Sequence, residues 1–153
     1  MTSTQGFTIR RTNLLLLVGA VAVMVSGWVH FDLYFRGGYR GIAPETVGGL
    51  TISRSFAINA IAAVVIAELL VLANRFRTLV LPAAASGALF GIATITAYVL
   101  SRTAGLLGFE ETATTAKAVV ALVAEAVAVL ALTPVALAAV TRHRAAVPMR
   151  QES

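Results

Sequence analysis

The chain has 153 residues, 58% of them hydrophobic and 12% charged, with a mean hydropathy of +0.86. A water-facing domain carries about 25% charged residues, so this sequence is written for lipid as its solvent. The net charge of +5 does not point to nucleic acid, because the basic residues stand in small groups between long apolar runs, and the lack of cysteine excludes disulfides, thiolate metal sites and a cysteine nucleophile.

The first apolar run, residues 14–29, follows Arg10 and Arg11 and continues through His30, Asp32 and Leu33 to Tyr34 and Phe35. It predicts a helix over 12–35. The run is long for a signal peptide and no small-x-small cleavage site follows, while Asn13 and Leu14 fit a twin-arginine signal poorly, so it is read as a retained span. Gly37, Gly38, Gly41, Pro44, Gly48 and Gly49 then make 36–53 a loop. A second run carries Glu68 and stops at Asn74, Arg75 and Arg77, predicting a helix over 54–74. The link to the third run is short, so the third helix, expected over 78–102, should form an antiparallel hairpin with the second. Polar residues return around Gly105, Gly108, Glu110 and Glu111. The last helix is predicted over 116–141 with Glu125 and Pro134 inside it.

Each run approaches the roughly 20 residues needed to cross a hydrocarbon core, and none alternates as a membrane barrel strand must. The expected fold is an all-α integral membrane bundle of four transmembrane helices, multi-pass in the inner (plasma) membrane. Arg10, Arg11, Arg75, Arg77, Arg142, Arg144 and Arg150 fall on one side, against Arg36, Arg40, Arg54, Arg102 and Lys117, which share theirs with Asp32, Glu45, Glu110 and Glu111. The positive-inside rule therefore puts both termini in the cytoplasm, with residues 1–12 and the basic stretch 142–153, which includes His143, as tails.

Helices associate in lipid through close packing, which small residues permit. Ala83, Gly87 and Gly91 recur every four residues in the third helix, and Ala124, Ala128 and Ala131 do similar work in the fourth. The plain reading is packing within the chain, and the sharper one is a dimer seam.

A charge in hydrocarbon costs roughly 2.5 to 3.5 kcal/mol, so ionisable residues within spans normally face the bundle. At about 1.5 Å per residue, His30 lies some 9 Å below Arg36 and Glu125 some 12 Å below Lys117, a similar depth from the outer side. Arg102 is long enough to reach toward them, and Asp32, Tyr34 and Trp28 flank the same end. His30, Arg102 and Glu125 are expected to converge in an outer-half pocket that relays a proton or holds a metal, haem or quinone. Against this stands an ordinary interfacial histidine beside Trp28. Glu68 lies in the inner half and is expected to snorkel to Arg75 or to carry a proton and bond a neighbouring helix. Arg36, Arg40 and Arg54 read as topology charges, with Arg40 after Tyr39 the better candidate for a carboxylate or lipid phosphate. No HExxH, paired histidines, P-loop, dinucleotide fingerprint or nucleophile elbow occurs, so nothing argues for an enzyme and no cofactor or metal is specified.

The stretches HFDLYFRGGYRGIAPETVGGL and YVLSRTAGLLGF, with the helix bearing Glu125, resemble a group of uncharacterised small four-helix integral membrane proteins of actinobacteria. The likeness covers most of residues 28–130. It rests on His30, Leu33 and Tyr34 at the end of the first helix and on Tyr39, Arg40 and Pro44 in the loop. Ser101, Arg102 and Thr103 at the end of the third helix and Glu125 in the fourth complete it. Similar proteins often read Gly-Leu-Pro-Gly where this chain has Gly105, Leu106, Leu107 and Gly108. The resemblance implies the four-helix fold and supplies no activity.

Three functions compete. The first is a non-catalytic accessory or assembly subunit with the bilayer and a protein partner or second copy around it. The second is the outer-half binding or relay protein. The third is an oligomeric transporter, for which no inverted repeat is evident.

Overall fold

The computed structural model describes residues 3–42 and 47–146, so Pro44, Glu45 and Arg150 lie outside the described residues. Four helices make up the bundle: α1 (Ser3–Arg36), α2 (Ile52–Ala73), α3 (Val80–Thr103) and α4 (Ala116–Ala146), with a 3₁₀ turn at Arg77–Leu79 leading into α3. The cores of all four match the apolar runs. The ends differ at both tails, because α1 already runs from Ser3 and α4 continues to Ala146, so much of what reads as tail prolongs the helices.

Local chemistry accounts for the internal boundaries. Thr51 caps α2 by accepting from the Arg54 backbone N–H at 3.1 Å, and Asn74 closes it with its side-chain amide on the Leu70 carbonyl at 3.0 Å. Pro82 falls in the first turn of α3, where a missing N–H leaves no bond unmade. Thr115 caps α4 through the Ala118 N–H at 3.1 Å.

Each helix holds a stretch long and apolar enough to cross a membrane, and at most 44% of any such stretch is buried inside the bundle. The rest is an apolar outer surface, with Ile61, Val21 and Leu130 among its most exposed residues. Such a surface is stable only against lipid, which makes this a multi-pass membrane protein.

Successive helices run antiparallel: Gly27 meets Ala63 while His30 meets Phe56, Gly87 meets Leu132 while Gly91 meets Glu125, and the short link brings Gly87 back against Leu70. The 37–51 and 104–115 connections therefore leave from one end of the bundle, the loop end, and the start of α1 at Ser3 and the end of α4 at Ala146 lie toward the other. α1 packs along α2 and α4, and α3 along α4, while the α2–α3 contact is smaller. The short link between α2 and α3 thus joins neighbours without making them the main packing pair.

Glycine sets the closest approaches. The fully buried Leu132 of α4 inserts between Gly19 of α1 and Gly87 of α3, where a Cβ on either glycine would overlap its side chain. A Cβ on Gly91 would stand 2.8 Å from the Glu125 carbonyl oxygen, so α3 and α4 touch there backbone to backbone. Ala83 is fully buried on the same side of α3.

Candidate functional site

Near the loop end the apolar core gives way to polar side chains from every helix. Glu125 of α4 is only 2% exposed and among the described residues pairs with no cation; its Oε1 accepts from Ser26 Oγ of α1 at 2.8 Å. Thr94 of α3 lies at the same carboxyl. The Thr94 hydroxyl has one hydrogen, and it is spent on the helix carbonyls of Phe90 at 2.8 Å and Gly91 at 3.1 Å. With its hydrogen there, the same oxygen offers a lone pair toward Glu125.

His30 stands one turn above Ser26 on α1. Its Nδ1 donates to the Ser26 carbonyl at 2.8 Å, which in the neutral ring leaves Nε2 as the acceptor. Ser26 Oγ is 3.4 Å from the same Nδ1, but both hydrogens are committed elsewhere. The imidazole packs on Phe56 of α2 at 5.3 Å between centroids, and not on Trp28, which stacks with Phe31 on the outer surface.

Two adjoining cavities of about 60 and 90 Å³ share His30, Phe56, Thr94, Tyr98 and Glu111 as walls. Glu125 and Tyr39 line the first, Ser55 and Asn59 the second. A water occupies about 30 Å³ of liquid, so each holds a few waters and neither holds a haem or quinone.

The roof is built by the two loops. Tyr39 stacks on Phe56 at 4.4 Å, meets Phe109 edge-on at 5.6 Å, and donates its hydroxyl to Glu111 Oε2 at 2.5 Å. Burial first, and then the bond to this carboxylate, pushes the Tyr39 phenol above its ordinary value of 10.0. Glu111 is fixed in turn by its backbone N–H on the Ser101 carbonyl at 3.0 Å and by the Ala113 N–H on its Oε1 at 3.1 Å. A tight turn precedes it, with Leu106 and Phe109 exchanging backbone bonds across Leu107 (φ 52°) and Gly108 (φ 67°). Proline is locked near a φ of about −65° and would not fit this turn at position 107.

The residues singled out in the sequence divide into two groups. His30 and Glu125 meet through Ser26 and share a cavity wall. Arg102 does not reach down to them; it is exposed and donates to the Glu111 carbonyl at 2.9 Å, on the outside of the roof. Asp32 pairs with Lys117 at 2.5 Å and Arg36 at 3.4 Å on the rim. Tyr34 meets Phe35 edge-on, and Arg40 lies exposed over the Phe35 ring at 5.9 Å. Glu68 and Arg75 are both exposed, and among the described residues neither side chain makes an ion pair or a hydrogen bond.

Sequence reasoning passed over Ser26, Thr94, Asn59 and Glu111 as site residues. For Ser26 a signal was present, since it precedes His30 by four residues and so shares its helix face. Among the described residues no three His, Cys, Asp or Glu side chains come together in a metal-binding group.

Comparison with known proteins returned no matching family model, curated protein or solved structure.

Proposed function

We propose that this membrane protein binds and exchanges a proton at Glu125, through a cavity open toward the outer face of the plasma membrane, with both termini in the cytoplasm. One observation carries the reading: the Glu125 carboxyl is buried between two hydroxyls, Ser26, which donates to it, and Thr94, whose hydrogen is also claimed by helix carbonyls, with no cation paired to it among the described residues. That environment suits a carboxylic acid, whose carbonyl accepts from Ser26 and whose O–H can donate to Thr94. His30 Nε2 and the few waters the cavity accommodates supply the route for the proton. The topology rests on the seven basic residues at the terminal end against five at the loop end.

The arrangement favours this over a metal, haem or quinone site, because the volumes are small and the ligand set is short. It also weighs against a helix-presenting assembly subunit built on the glycine faces, since Gly19, Gly87 and Gly91 are already occupied inside the chain. The test is infrared difference spectroscopy of the purified protein across a pH titration. A protonated-carboxyl band should appear and vanish with pH in the wild type and be missing in a folded Glu125→Gln variant. An identical band in both proteins would remove Glu125 from the account.

A further inference from the structure

On the opposite flank of α1, away from the polar cavity, α1 and α2 part to leave a groove of about 870 Å³ facing the bilayer. Its floor is Ala20 and Ala67, both nearly buried, and its walls include Met24, Trp28 and Glu68. A smaller pocket of about 160 Å³ shares Met24 and Trp28 and prolongs the groove to Phe31. Nearly all of this lining is apolar, and Glu68 is its only ionisable group.

Glu68 is exposed on the lipid-facing side, five residues before the end of α2 and so about 7 Å inside the span, without a partner among the described residues. A carboxylate so placed is costly unless something of opposite charge joins it. Three properties define the occupant. The volume lies in the range of about 300 to 1,000 Å³ typical of small-ligand sites. The charge calls for a single cation. The third property is the position of the indole: Gly27 meets Ala63, so Trp28 is level with residue 62, six residues or about 9 Å from Glu68 along the groove. We propose that the α1–α2 groove binds a lipophilic monocation from the bilayer, with its ammonium at Glu68 and its apolar part lying over Met24 toward Trp28. A second copy of the chain is a poorer occupant, since a two-fold seat on this groove brings Glu68 against Glu68. An ordinary acyl chain leaves the carboxylate unpaired.

Trp28 is the only tryptophan in the sequence and is 61% exposed, which makes it a built-in reporter. The protein in nanodiscs of zwitterionic phospholipid is titrated with brominated dodecyltrimethylammonium or brominated dodecanol, both of which quench indole fluorescence. The expected result is saturable quenching by the ammonium at a concentration at least about tenfold lower than by the alcohol. Glu68→Gln should abolish that preference, and Glu68→Lys should transfer it to a brominated alkyl sulfate. Both substitutions are at an exposed position, so the fold does not depend on them. Equal quenching by ammonium and alcohol, or an unchanged preference in either variant, would overturn the proposal and leave a crevice for lipid tails. A co-purifying protein that shields Trp28 from both probes would overturn it in favour of a partner helix.

Discussion

On the proposed reading the environment of Glu125 treats a carboxylic acid and a carboxamide alike, because each offers one acceptor to Ser26 and can offer one donor to Thr94. Glu125→Gln is therefore expected to melt within about 1 kcal/mol of the wild type. Glu125→Ala strands the buried Ser26 hydroxyl and should lose about 1 to 3 kcal/mol. Thermal unfolding in mild detergent checks both, and a Gln variant as unstable as the Ala variant would contradict the donor–acceptor assignment. At the roof, Tyr39 holds its proton more tightly folded than unfolded. Stability from this residue is thus fully present below the unfolded value of 10.0 and declines as pH rises through the folded one. Tyr39→Phe should flatten that alkaline decline in a denaturation series, and an unchanged slope would show that the phenol does not titrate with unfolding.

At the scale of the helices, the bundle is held where a large side chain meets a missing one. Leu132 fills the space between Gly19 and Gly87, so a change on either side of that contact disturbs three helices. Leu132→Ala should cost roughly 2 kcal/mol, the low end of the usual Leu→Ala range, because in lipid the packing contribution remains while the transfer contribution fades. Gly87→Leu should lower the melting temperature in detergent further, by wedging α3 from α4. Unchanged melting of the glycine variant would mean the helices are not in contact there. The spacing of Ala83, Gly87 and Gly91 made this face of α3 visible in the sequence, as Ala124, Ala128 and Ala131 did for α4, but the leucine inserted there was not. Leu132 is one leucine in an apolar run and nothing in its neighbours distinguishes it. The helix cores were legible from hydropathy. Their outer ends were not, because helix continues past the last apolar residue wherever nothing breaks it.

For the whole molecule, depth along the helices was a good guide to what meets and a poor one to which way a side chain turns. It brought His30 and Glu125 to one level, where Ser26 joins them. The same reasoning placed Arg102 at that site, but an arginine at a helix end finds the nearer carbonyl of Glu111 and stays outside. The bond between Tyr39 and Glu111, 72 residues apart, had no local signal at all. The proposed orientation follows the positive-inside rule and predicts that a reporter active only outside the cytoplasm is silent when fused after residue 146 and active when inserted at Gly48. The reverse pattern would turn the cavity toward the cytoplasm. The most direct test of the account is the side from which Glu125 titrates. In proteoliposomes of known orientation, with the pH changed on one face at a time, its infrared carboxyl band should follow the pH of the loop side and ignore that of the terminal side. A band that follows the terminal side, or that responds to neither, would contradict the account.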